Sequence, residues 1–472
     1  MGSKWKKIKL SEAVNFRNGA GIKQTFFTEK KDGIPLVKVS NFTLDSVDTS
    51  QSMTLVDNAH AENWKSHLLN TDDILIATVG SWPPNWSSVV GKVVRVPPEA
   101  ANMLQNQNTC CLIPNEDIDS NYLFYVLKSK EFQDWVVNTA QGSANQARVP
   151  INMLGHYEIS LPEIYHQRNI SNFISKLDTK IRINKNINSI LENISKALFK
   201  SWFVDFDPVI DNALDAGNSI PEVLQSRAEL RQKVRNSADF KPLPADIRAL
   251  FPAEFEETEL GWVPKGWKIS TAGDELVVKG GSTPSTSNAD FWENGTIHWT
   301  SPKDLTGNDS KVLLDTSKKI TELGLKKISS GLLPTDTVLM SSRAPIGYLA
   351  LAKTPMAINQ GYIAIPSSKN LSPEYIIYWL ENIMDDIKGM AGGTTFAEIS
   401  KGAFKTISLV IPSKNIVDEF TRLAHQHFGK VVSNTEQINA LTALRDTLLP
   451  KLISGELSLE DLPDLVAQTE PA

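Results

Sequence analysis

The chain repeats itself, and the period is long. Leu68-Leu69-Asn70-Thr71-Asp72-Asp73-Ile74-Leu75 returns as Leu332-Leu333-Pro334-Thr335-Asp336-Thr337-Val338-Leu339, 264 residues later. The stretch from Gln107 to Pro114 returns between Asn359 and Pro366 at an offset of 252, and Ile187-Asn188 returns as Ile438-Asn439 at 251. Tyr122-Leu123-Phe124-Tyr125-Val126-Leu127 answers to Tyr375-Ile376-Ile377-Tyr378-Trp379-Leu380, and Glu158-Ile159-Ser160-Leu161-Pro162 to Ser408-Leu409-Val410-Ile411-Pro412. Trp5 and Trp267 open the two copies, and Gly19 and Gly281 follow at matching places. The offset falls by 12 between Leu75 and Gln107, where the first copy carries an extra Trp82-Pro83-Pro84-Asn85-Trp86 region. Solenoid repeats have periods of roughly 20–50 residues, so this is a duplicated domain.

Each copy follows one plan. Short runs rich in β-branched residues and bounded by turn residues predict strands, among them 34–39, 73–78, 89–96 and 157–161, then 297–300, 337–340 and 406–411. A proline, Pro162 or Pro412, closes each globular part, and a long helix begins. In the first helix Ile170, Ile174, Leu177, Ile181, Asn184, Asn188, Leu191, Ser195, Leu198 and Trp202 step by alternating fours and threes, a heptad seam. A second stripe, Ile183, Ile187, Ile190 and Ile194, predicts a further neighbour for that helix. The second helix carries Ile416, Phe420, Leu423, His427 and Val431, then Ile438, Leu441, Leu444, Leu448 and Leu452. Forty residues of helix span about 60 Å. Two apolar seams of equal length are buried most economically against each other, antiparallel, with Asn184 and Asn188 fixing register and His427 as a packing residue. The division expected is 1–162, 163–202, 203–264, 265–412, 413–453 and 454–472: head, helix, connector, head, helix and tail. Six prolines punctuate 203–264, which predicts an ordered connector with one short helix at 221–235.

Charge is unevenly placed. The net charge is −6, but residues 203–261 hold 12 acids against 6 bases and 454–472 hold 5 acids and no base. The first long helix, 163–202, has 7 bases against 3 acids, which is compatible with phosphate contacts. No stretch approaches the ~18 apolar residues of a membrane helix, and the first residues lack the apolar core of a signal peptide. The only cysteines, Cys110 and Cys111, are adjacent and cannot staple distant segments, so a reducing cytosol is expected. Histidines and cysteines nowhere stand at zinc spacing.

Two stretches carry a family resemblance. Leu198-Phe199-Lys200-Ser201-Trp202-Phe203-Val204-Asp205-Phe206-Asp207-Pro208, with Leu250-Phe251-Pro252 and 259–267 beyond it, resembles the central region of type I restriction-modification specificity subunits. Residues 444–457, from Leu444-Arg445-Asp446 to Gly455-Glu456-Leu457, resemble their C-terminal region. The resemblance implies an α+β chain: two homologous α/β target recognition domains separated by an antiparallel coiled coil of two long helices. It also implies that each domain reads one half of a bipartite, asymmetric sequence in double-stranded DNA. The helices space the domains and dock two methyltransferase subunits, and restriction/translocase subunits complete a cytoplasmic complex. S-adenosylmethionine, ATP and Mg belong to those partners, and this chain binds no cofactor or metal and performs no chemistry.

The motifs of chemistry are indeed not in the sequence. Pro83-Pro84-Asn85-Trp86 has the wrong order for an amino-methyltransferase motif, Gly19-Ala20-Gly21 meets Gln24 where a third glycine belongs, and no P-loop string occurs. Glu29-Lys30-Lys31 matches a nuclease fragment without an upstream carboxylate to hold metal. Two alternatives are a specificity protein with its own methyl-transfer activity and a two-headed scaffold for proteins rather than DNA.

Side chains that read bases need fixed donor and acceptor geometry, and hydroxyls suit phosphate positioning. Four polar loops recur at matching places. The first offers Lys23, Gln24 and Thr25, against Ser282, Thr283, Ser285 and Thr286. The second offers Lys38, Ser40 and Asn41, against Ser301 and Lys303. The third offers Ser81, Trp82, Asn85 and Trp86, against Ser341, Ser342 and Arg343. The fourth offers Gln141, Ser143, Asn145, Gln146 and Arg148, against Gly393, Thr394 and Thr395. Arg148 and Arg343 are the strongest single candidates.

Overall fold

The computed structural model describes residues 5–50, 52–308, 310–392 and 397–461. The chain forms two compact units, Met1–Lys180 with Leu441–Ala472, and Ile181–Ala440. Each unit holds one globular head, and each takes a piece of both long helices.

In the first unit an antiparallel sheet runs in the order Val14–Asn18, Thr109–Pro114, Ile74–Ala77 and Val93–Arg95. A second sheet is built from Phe27–Thr28, Thr54–Val56, Ile34–Val37 and Leu104–Gln105. Ile74, Leu75, Ile76 and Ala77 are buried on both faces of their strand, which explains a continuous apolar run in place of alternation. In the second unit the corresponding order is Leu276–Lys279, Tyr362–Ser368, Val338–Ser341 and Leu349–Ala352, with Val312–Leu313 added at the edge. The smaller sheet there joins Lys318–Ile320, Ile297–Thr300 and Met356–Ile358.

The entry and exit of each head are tied alike. Lys6–Lys9 pairs antiparallel with Glu158–Leu161, and Lys268–Thr271 with Ser408–Ile411. The short helix Ser120–Lys128 is capped by Asp119, whose carboxylate accepts the Tyr122 N–H, and Tyr122 Oη donates 2.8 Å to the Ser160 carbonyl. Its counterpart Pro373–Asn382 is capped by Ser372, and Tyr375 Oη donates to Val410 at 3.4 Å. Both tyrosines are buried and their donors are satisfied, as burial requires.

The long helices are Ile164–Phe203 and Lys414–Ser454. In the first unit their segments meet through Ile170, Ile174, Leu449 and Leu452, all buried, and Arg445 donates 2.7 Å to Asp178. Within the second unit Asn184 donates to Gln437, Asn188 to Thr435, Asn434 to Asn188, and Ser195 pairs with His427 at 2.8 Å. Numbers rise on one helix as they fall on the other, so the pairing is antiparallel in both units. His427 is the packing histidine expected. Leu444, expected on the seam, is instead 44% exposed. The seam passes through buried Asn434 and Leu452 and half-buried Ile438, Leu441, Arg445 and Leu448, which leaves Leu444 one position off. Ile183, Ile190 and Ile194 of the isoleucine stripe are 44%, 58% and 48% exposed.

The two tryptophans that open the copies pack at the ends of opposite helices. Trp5 Nε1 donates to the Leu452 carbonyl at 3.4 Å, near the end of the second long helix. Trp267 lies buried beside Phe203 and Phe206, at the end of the first.

The connector holds more elements than the single short helix expected at 221–235. Helix Gln225–Arg235 lies against Asp207–Ala216 through a ladder of arginines on aspartates. Arg227 holds Asp207 at 2.7 Å through two nitrogens, Arg231 pairs with Asp211, and Arg235 and Arg248 both pair with Asp215, holding its carboxyl below the usual range. Asp207 and Asp211 are buried, which their arginine partners, with the Ser201 hydroxyl on Asp207, make tolerable. A hairpin, Phe255–Thr258 with Gly261–Pro264, then leads into the second head.

Candidate nucleic-acid interface

The first loop of each copy is held by a close backbone crossing. A Cβ on Gly19 would sit 1.9 Å from the Asn106 carbonyl oxygen, and one on Gly281 1.8 Å from that of Ile358. Only glycine fits at these two matched places. Beyond the crossing, Lys23, Gln24 and Thr25 are exposed, with Lys23 preceding the turn Gln24–Phe26. In the second copy Thr283 donates 2.7 Å to Gln360, Ser282 donates to the Lys327 carbonyl, and Ser285 pairs with Ser287. Thr286 is exposed.

The second loop is largely structural. Asn41 is buried, and its side-chain Oδ1 accepts the Lys38 N–H to close the turn Val39–Asn41. Lys38 Nζ donates to Thr54 and lies 5.4 Å from the Phe27 ring centroid. The amide and hydroxyl of Ser301 both donate to Asp304, whose carboxyl these and other donors hold low despite its burial. Exposed polar atoms remain at Ser40 and Lys303. Asn41 and Ser301 therefore leave the set of expected base contacts, because the loop consumes their hydrogen bonds.

The third and fourth loops meet, and they meet alike in both copies. Val79–Gly80 pairs with Gln146–Arg148, which forms a hairpin with Gln141–Ser143. Arg343 bridges Glu398, and Glu398 bridges Gly392. The Val149 N–H donates to the Thr78 carbonyl, and the Ile399 N–H to that of Ser342. These bonds place Arg148 and Glu398 at one structural position, and Val79 and Arg343 at another.

In the first copy Trp82 Nε1 donates 2.8 Å to the Ser143 carbonyl, which clamps the two loops together. Ser81 turns back on Asn85 and Ser88, leaving Asn85, Trp86, Asn145, Gln146 and Arg148 exposed. Arg148 makes no ion pair among the described residues. In the second copy Ser341 and Ser342 are buried, and Ser341 Oγ donates to the Pro345 carbonyl while accepting the Tyr348 N–H. Their counterparts Ala77 and Thr78 are buried as well, so this burial belongs to the shared frame, and Ser341, whose hydroxyl closes its own turn, leaves the set of contact candidates. Arg343 stays half-exposed, 3.6 Å from Glu398. Gly393, Thr394 and Thr395 lie outside the described residues.

Two residues beside these loops were missed. Gln360 receives Thr283, and the matched stretch beginning at Gln107 already pointed to it. Glu398 had no signal, because sequence similarity lapses where the two copies carry opposite charges.

Among the described residues of these loops, no side chains are arranged as a reaction centre. No group of three or more histidines, cysteines or carboxylates suited to a metal occurs among the described residues. Cys110 and Cys111 are buried, and burial pushes both thiols up to about 12, which makes them inert. No helix among the described residues is long and apolar enough to cross a membrane. Two equivalent heads, each presenting a rigidly backed polar loop pair on a sheet, define a bivalent recognition protein.

Comparison with known proteins gives that class its family. The family model described as type I restriction modification DNA specificity domain matches residues 2–193 and again 264–442, once for each copy. The HindI specificity subunit of Haemophilus influenzae is 28% identical over 388 residues, covering 78% of this chain and 84% of that protein. The MjaIX specificity subunit of Methanocaldococcus jannaschii is 27% identical, covering 76% and 73%. The crystal structure of a type I restriction-modification S subunit from M. genitalium shares the fold, with a TM-score of 0.54, 16% identity and 96% of each chain covered. The chain belongs to the type I restriction-modification DNA specificity family, and its role is that of a specificity subunit.

Proposed function

We propose that each head reads one half of a bipartite, asymmetric target in duplex DNA through its first, third and fourth loops, while the paired helices set the spacing between halves. The observation that carries this reading is the shared backbone frame of the third and fourth loops, bearing different side chains in the two copies. A common frame docks both heads in one way, and different side chains give different base preferences. The helices also dock two methyltransferase subunits. The open stripe of Ile183, Ile190 and Ile194 supports this, since apolar residues in a row on one helix face favour burial against a partner. Restriction/translocase subunits complete the assembly in the cytoplasm. S-adenosylmethionine, ATP and Mg act in those partners, and this chain takes neither cofactor nor metal.

A gel-shift titration with the methyltransferase subunits present tests the reading. Duplex carrying the target should bind at least 10³ times more tightly than scrambled duplex at equal salt, the usual margin of specific over non-specific binding. Equal affinity for both duplexes contradicts it, and stoichiometric S-adenosylmethionine binding by this chain alone would favour an enzyme.

A further inference from the structure

Glu398 stands where DNA recognition would least welcome a carboxylate. It sits at the junction of the third and fourth loops of the second head, at the position that Arg148 occupies in the first. A carboxylate beside the DNA backbone is repelled by phosphate, so it weakens binding unless a donor compensates it. In the major groove only the cytosine N4 and adenine N6 amino groups are donors, and a glutamate suits the cytosine group.

The neighbouring geometry agrees. Arg343 Nη1 lies 3.6 Å from Glu398 Oε2, too far for a hydrogen bond, and the two side chains are 36% and 44% exposed. Among the described residues neither side chain has another partner. The pair is therefore loosely held, with most of the guanidinium donors and the carboxylate acceptors unspent. Glu398 also lines an open cleft of about 520 Å³, together with Ser342, Gln360, Lys401 and the Gly280–Gly281 backbone. Ser342 is 2% exposed and its hydroxyl has no partner among the described residues, so the cleft offers a polar wall with capacity to spare.

We infer that Glu398 is a specificity-determining residue of the second head: it accepts a hydrogen bond from a cytosine amino group, while Arg343 beside it donates to guanine in the same or the adjacent base pair. This rests on the reading that the second head contacts DNA through these loops. A glutamate and an arginine side by side present one acceptor and one forked donor, which matches the two edges of a G·C pair. The first head, whose arginine at that position makes no ion pair among the described residues, has no acceptor there for cytosine.

The test uses the full chain with its methyltransferase partners and a duplex library randomised across the target, with modification read by sequencing. Glu398→Ala should relax one position of the second half, raising modification of the disfavoured bases about tenfold relative to the preferred one, the size of one lost base contact. Glu398→Gln should shift that same position toward adenine, because an amide pairs with adenine N6 and N7. The first half should be unchanged in both variants and serves as the internal control for folding. An unchanged second half, or an equal fall for all sequences, overturns the inference. Exchange of residues 265–412 for another head runs in parallel. If that exchange rewrites the second half while the Glu398 variants do not, the inference alone fails. If the exchange changes nothing, the parent reading fails.

Discussion

The two heads share their backbone and disagree in their charges. At the junction of the third and fourth loops the first head carries Arg148 facing Val79, and the second carries Glu398 facing Arg343. The same inversion occurs at the far end of the equivalent short helix. Lys128 pairs with Asp45 in the first unit, and its counterpart Glu381 pairs with Lys196 at 2.9 Å and Lys311 at 3.2 Å in the second. Duplication fixed the hydrogen-bonded frame, because a frame tolerates few changes. Exposed and half-exposed charges differ between the copies, in the loops and at the ends of the short helices. The comparison teaches that the shared part of the heads is their hydrogen-bonded frame, and that under the proposed reading the differing charges would set what each head prefers.

Breaking the second head's charge set should have the largest effect. Glu381→Lys brings a third cation against Lys196 and Lys311, and should destabilise the second unit by about 2–3 kcal/mol, the buried-pair penalty discounted for partial exposure. Hydrogen exchange should locate the loss there and leave the first unit protected. Gly281→Ala should cost about 1–3 kcal/mol, since its Cβ would overlap the Ile358 carbonyl and the backbone must shift. Thermal unfolding measures this, and the first loop should stop contributing to the second half-target. Arg148→Ala should cost about 1–3 kcal/mol in binding and relax one position of the first half if it reads a base. A uniform loss across all sequences, with a smaller salt slope, would make it a phosphate contact instead.

The smallest effect is a difference in pH response. Burial pushes the Lys128 amine down to about 8, from an ordinary 10.5. Below pH 8 both folded and unfolded states hold the proton. Between about 8 and 10.5 only the unfolded state does, so this group's contribution to stability rises with pH in that window. Glu192 in the second unit is raised by burial, so its contribution falls as pH rises through the acidic range. Following protection of each unit across pH checks both signs, and Lys128→Met should abolish the alkaline rise in the first.

Much of the fold was legible in the sequence. The repeat defined two heads, and the heptad spacing of Ile170, Ile174, Asn184 and Ser195 gave both the helix and its buried face. Asn184 and Asn188 were legible because polar residues on a seam need partners, which Gln437, Asn434 and Thr435 supply. The helix Asp207–Ala216 was not, since its acids look solvated until the arginines twenty residues on are folded against them. Leu444 deceived because its side chain is apolar, whereas the unbroken alternation of threes and fours from Leu441 lands on Arg445, a charged residue that pairs with Asp178. Among the loops, position was readable and role was not. Asn41 and Ser341 have the composition of contacts but close their own turns, a distinction made only by where their hydrogen bonds go. Glu398 could be recognised only once backbone pairing aligned it with Arg148.

The most direct test exchanges residues 1–162 for the corresponding head of a specificity subunit with a different target. The full chain would be expressed with its partners and the methylated sequences read genome-wide. The account predicts that one half of the bipartite motif is replaced completely while the other half is retained base for base. Alteration of both halves, or of neither, would contradict it.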